Sequence, residues 1–191
     1  MRPRCLTTQP LNDVAYRTDI TRTRILGIDP GSTIMGFAVI DGGARPTPCV
    51  IDCLRLPKAD FPTRLGLIFE RLSAVIAEWQ PQEMAIEDVF VSKNAASALK
   101  LGQARGAAIC AGAAAGLAVA EYTPSQIKQA VVGRGGADKT QIQHMVAMLL
   151  GVTDKLQADA ADAAAVALCH AHTAHTAGRM RQAGRAAGAW A

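Results

Sequence analysis

The sequence predicts one α/β domain built on a mixed five-stranded sheet, and three observations lead there. Half of the 191 residues are hydrophobic, enough to bury a real core in a chain of this length. The first three apolar runs of strand length follow one another across short turns, as in antiparallel hairpins. Beyond them, strand-length runs alternate with segments of helical periodicity, the pattern of strands linked by helices.

Residues 1 to about 23 lack periodicity and read as a loose leader outside the fold. Ile25-Leu26-Gly27-Ile28-Asp29 has the continuous apolar character of a central strand, and Pro30-Gly31-Ser32 turns it into a second strand at Phe37-Ala38-Val39-Ile40. Val50-Ile51-Asp52-Cys53-Leu54 supplies the third. Leu65, Ile68, Phe69, Leu72, Val75, Ile76 and Trp79 recur at helical spacing, which predicts an amphipathic helix over Pro62 to Trp79, ended by Pro81. Met84-Ala85-Ile86-Glu87 is the fourth strand. The Ala, Leu and Gly-rich stretch from Asn94 to about Gly116 suits a closely packed helix, and Leu117 to Tyr122 the fifth strand. Thr123-Pro124 opens a short helix that Gly133 closes. A helix from about Asp138 to Gly151 presents Ile142, Met145, Val146 and Leu149 on one face, and an Ala-rich helix runs from about Gln157 to His175. Residues 177–191, with Arg179, Arg181 and Arg185, read as a basic mobile tail, leaving 24–176 as the folded domain.

Composition narrows the function classes. A formal net charge of +4 suits a polyanionic partner without demanding one. No segment reaches the ~18 consecutive apolar residues of a membrane span, and the leader has no apolar core of a secretory signal, so a soluble cytoplasmic protein is expected. Five cysteines (Cys5, Cys49, Cys53, Cys110 and Cys169) show no zinc-type pairing and read as reduced thiols, with Cys110 and Cys169 filling the core.

Four acids stand out by context. Asp29 and Glu87 end apolar strands, and Asp159 and Asp162 share a face of the Ala-rich helix at i and i+3. A lone acid at a strand end ordinarily caps a turn, and one in a first helical turn ordinarily complements the helix dipole. As a set, four such carboxylates would repel one another unless divalent cations neutralised them. All-oxygen ligation without Cys or His favours Mg²⁺ or Mn²⁺, and two such ions could activate water and stabilise a leaving oxygen in phosphodiester hydrolysis. Spacing alone does not make the four converge.

Several stretches together resemble one family. Leu26-Gly27-Ile28-Asp29-Pro30-Gly31-Ser32, Ala85-Ile86-Glu87-Asp88-Val89-Phe90, Lys93-Asn94-Ala95, Ser97 through Gly106, Ile127 through Gly133, and Gln157-Ala158-Asp159-Ala160-Ala161-Asp162-Ala163 are similar, in order and spacing, to the motifs of RuvC-type Holliday junction resolvases. The likeness spans roughly residues 24 to 173. It implies a ribonuclease H-like fold and a homodimer that cuts four-way DNA junctions by paired symmetric nicks with divalent metal. The family's acidic quartet falls on Asp29, Glu87, Asp159 and Asp162, with Asp159 where some relatives carry His. Its junction-contacting aromatic falls on Phe90, and its lysines near the scissile phosphate fall on Lys128 and Lys139. The helix with Leu99, Leu101 and Gln103 corresponds to the dimer helix, and a branch-migration motor complex is the implied partner. Two other readings remain beside it, a related nuclease for structured RNA and a junction-binding scaffold without catalysis.

Two further signals are weaker. Gly133 through Thr140 has the look of a phosphate-binding loop, but Asp138 stands where that motif needs Gly and a helix leads into it. Arg134 in this loop is better read as touching DNA backbone. His170, His172 and His175, at i, i+2 and i+5, do not share a helix face and do not make a zinc site, though His170 could approach the edge of the acid cluster.

Overall fold

A computed structural model describes residues 22–88, 94–133 and 138–188, with the backbone alone at 175 and 177–188. Phe90 and Arg134 lie outside the described residues. The strands are β1 (Arg24–Asp29), β2 (Ile34–Asp41), β3 (Thr47–Arg55), β4 (Glu83–Glu87) and β5 (Ala118–Tyr122). The helices are α1 (Phe61–Trp79), α2 (Ala95–Ala114), α3 (Pro124–Val132), α4 (Lys139–Leu150) and α5 (Ala158–Gly188). The order across the sheet is β3-β2-β1-β4-β5. The β1–β2 and β2–β3 pairs are antiparallel, whereas β1–β4 and β4–β5 are parallel, so the sheet is mixed as expected.

Side chains alternate across this sheet and make two cores. Leu26, Ile28, Val39, Met84 and Ile86 face α1 and α2. Ile25, Ala38, Ile40 and Ala85 face α3, α4 and α5. Local chemistry sets the helix ends. Asp60 and Asn94 accept hydrogen bonds from the first turns of α1 and α2, and Thr123 with Gln126 and Asp138 with Gln141 form reciprocal capping boxes on α3 and α4. Gly133 and Gly151 close α3 and α4 in the left-handed conformation.

The central helix is α5. From Ala160 to Ala171 nearly every side chain is buried, because it lies flat on the sheet while α3 and α4 cover its outer side. Two glycines permit that approach. A Cβ on Gly27 would stand 2.7 Å from the Ala167 Cβ, and one on Gly36 would collide with the Asp159 carbonyl. The helix also continues past the expected end near His175 as far as Gly188, so most of the 177–191 tail is helical backbone. Alanine, the strongest helix former, outweighs three glycines there.

Candidate active site

The fold brings the four acids to one place. Asp29 is two residues from Gly27, and Glu87 two from Ala85, so both point to the α5 side of the sheet. The parallel register pairs Gly27 with Ala85 and Ile28 with Ile86, which sets the two acids side by side at the carboxyl ends of β1 and β4. Asp29 also pairs across β2 with Gly36, and the Asp159 backbone lies on Gly36. Asp162 follows one helical turn later, at the same end of the sheet.

Their electrostatics show the convergence. Asp29 is pushed up from 3.8 to about 8, mainly by burial and then by repulsion from Glu87, Asp162 and Asp159, with a hydrogen bond to Glu87 contributing. Glu87 is also raised, first by burial, against the hydrogen bond from Asp29 and the attraction of Lys128 and Lys139. Asp29 therefore keeps a proton near neutral pH and donates it to Glu87. Lys139 Nζ lies 2.7 Å from Asp162 Oδ2. That contact holds the ammonium above the usual lysine range, with Asp29 and Asp159 adding attraction.

A cavity of about 280 Å³ opens beside the acids. Glu87, Asp162, Lys128 and Lys139 line its polar side, while Ile127 and Ile142 form part of its apolar wall. Acids, two cations and an apolar wall together suit a polyanion whose phosphate meets the acids and whose less polar body meets the wall.

The donor chemistry would suit a hard divalent cation, since the four side chains offer carboxylate oxygens alone. As the side chains stand, no three His, Cys, Asp or Glu groups among the described residues are close enough together to hold a metal. Asp29 and Glu87 are engaged with each other, and Asp162 with Lys139.

Two expectations change. His170 does not reach the acids: its Nδ1 lies 2.8 Å from the Tyr122 hydroxyl and its Nε2 2.7 Å from Glu83, at the opposite end of β4 from Glu87. Eight residues of helix separate it from Asp162, about 12 Å of rise. Cys169 is buried, and burial pushes its thiol up to about 11, but Cys110 is exposed on the outer face of α2 and fills no core.

Two arginines near the site were not singled out by the sequence. Arg105 on α2 donates to the Glu87 carbonyl at 3.1 Å and pairs with Asp88 at 3.6 Å and with Glu121, so it clamps the ends of β4 and β5. Arg64 on α1 donates to the Ser32 carbonyl at 3.0 Å, in the turn that follows Asp29. Arg105 lies in one of the resembling stretches, yet nothing in linear spacing ties it to a strand end 18 residues away.

A mixed sheet of order 3-2-1-4-5, with acids gathered at the ends of its two central strands and on the helix across them, defines a ribonuclease H-like protein. A family model described as crossover junction endodeoxyribonuclease RuvC matches residues 25–170. The chain belongs to the RuvC family, and it is an endonuclease. It is 54% identical over 158 residues to the crossover junction endodeoxyribonuclease RuvC of Methylococcus capsulatus, covering 83% of this chain and 96% of that one. The Halorhodospira halophila protein of the same name is 55% identical over 167 residues, with coverage of 83% and 99%. The Thermus thermophilus RuvC structure superposes with a TM-score of 0.75 at 33% identity, covering 81% of this chain and 97% of that one. The same protein in complex with Holliday junction substrate gives 0.77 at 33% identity, with coverage of 81% and 96%. The yeast mitochondrial resolvase Ydc2, 13% identical with a TM-score of 0.52, shares the fold.

Proposed function

We propose that this endonuclease resolves four-way DNA junctions by paired symmetric nicks, with Asp29, Glu87, Asp159 and Asp162 as its metal-holding catalytic acids. The observation that carries this is the meeting of those four carboxylates at one end of the sheet, where burial first and then their repulsion raise Asp29 to about 8. Bound there, Mg²⁺, or Mn²⁺ in its place, supplies with two ions per site the charge that activates water and stabilises the leaving oxygen. To serve as a ligand, Asp29 would release its proton to solvent. Lys128 and Lys139 hold the scissile phosphate from the cavity side, and Ile127 and Ile142 exclude water behind it. Phe90 stacks on an unpaired base, and Arg134 touches the DNA backbone.

A junction has two equivalent strands to cut, which suits a homodimer with two identical sites related by a two-fold axis. On α2, Leu99 is 67% exposed, and Gly102 and Gly106 leave open space where a second helix could approach. Action beside a branch-migration motor, in the cytoplasm, belongs to the same reading. No helix among the described residues is long and apolar enough to cross a membrane.

The test is incubation with a labelled synthetic four-way junction, a linear duplex and a folded RNA, each with and without Mg²⁺. Metal-dependent symmetric nicks confined to the junction are expected. RNA cleavage in their place would favour the structured-RNA reading, and junction binding without metal-dependent cutting would leave only the scaffold.

A further inference from the structure

Lys139 is the first residue of α4, where the helix dipole disfavours a cation. Its ammonium nevertheless turns into the acid cluster and sits 2.7 Å from Asp162, within the field of Asp29 and Asp159. Lys128 lines the same cavity, acts on Glu87 through space, and makes no ion pair among the described residues. Lys139 thus occupies Asp162 with a positive charge. The Lys139 side chain is 59% exposed and borders open cavity, so it has room to leave.

We infer that Lys139 and a divalent cation exclude one another at Asp162, so that metal entry releases Lys139 into the cavity beside Lys128 and completes a two-lysine seat for a DNA phosphate. The inference rests on the acids being the metal ligands. Its physical basis is competition: Asp162 cannot give its oxygens fully to both cations, and a second positive charge that close to a divalent ion is repelled. Before metal arrives, Lys139 stabilises an acid cluster that would otherwise be strongly self-repelling. Afterwards the same charge acts on the substrate. Metal and DNA then favour one another through a single side chain, and by linkage DNA raises metal affinity by the factor that metal raises DNA affinity.

Mn²⁺ titrated calorimetrically into the DNA-free full-length protein tests this with wild type, Lys139→Met, Lys128→Met and Asp29→Asn. A latch closed about nine-tenths of the time lowers apparent metal affinity about tenfold, so K139M tightens Mn²⁺ by about that factor. K128M, which removes the same charge from the same cavity, changes it less than about threefold. In protein labelled at the lysine ε-carbon, the resonance that K139M deletes moves toward the solvated-lysine position as Mg²⁺ saturates the site. Equal tightening by K139M and K128M, or a Lys139 resonance that stays put, overturns the latch while Mn²⁺ binding lost in D29N upholds the metal reading. Mn²⁺ binding undiminished in D29N overturns both.

Discussion

At Asp29 a strand-end acid becomes a proton store. Its carboxyl is raised from 3.8 to about 8, so the folded, metal-free protein binds this proton more tightly than the unfolded chain does. Stability from this group is therefore present at low pH and lost as pH climbs from about 4 through about 8. Thermal melts of metal-free protein across that range are expected to show the decline, and Asp29→Asn to flatten it and to melt higher than wild type near pH 8. The same substitution removes a proposed metal ligand and leaves the basic surface intact. Junction cleavage should fall by about 10³-fold or more while gel-shift affinity for the junction stays within about threefold. Parallel loss of binding would mark Asp29 as structural. The four acids were legible in the sequence because burying an ionised group is costly and their positions matched a family pattern. The change in His170 has an equally local cause, since Tyr122 and Glu83 give both ring nitrogens a partner and no spacing rule reveals such a pair.

At the scale of elements, the site depends on how closely α5 lies on β1 and β2. Gly36→Ala places a methyl against the Asp159 backbone, and α5 must lift or tilt to admit it. Overpacking of this kind costs about 1–3 kcal/mol, read as a lowered denaturant midpoint, and should weaken Mg²⁺-dependent cleavage beyond the stability loss. Arg105 works on the opposite face, where one guanidinium ties α2 to the Glu87 carbonyl, Asp88 and Glu121. Arg105→Lys keeps the charge but not the fork, and is expected to lower kcat about tenfold with little change in junction affinity. All five strands and the helix order were readable from periodicity and caps. The length of α5 was not, because an Ala-rich stretch has no amphipathic edge to mark where burial stops.

For the whole molecule, the proposal needs two sites in fixed relation. Leu99 is the large apolar side chain most exposed on α2, and Leu99→Asp should convert a dimer to monomers by sedimentation. Such a monomer would lose paired nicking and keep at most single nicks. An intact dimer with L99D would move the interface elsewhere. Burial on nearly every side from Ala160 to Ala171 also gives that stretch of α5 the character of a keyed shaft. One residue inserted within 160–167 would turn Asp162 by about 100° and advance it about 1.5 Å, and alanines packed this tightly offer no neighbouring groove to accept the slip. The same residue inserted at 152–155, ahead of the shaft, falls among mostly exposed positions and should leave the acids in phase. In the lineage of such a protein, length can drift freely up to the mouth of the helix and scarcely at all beyond it.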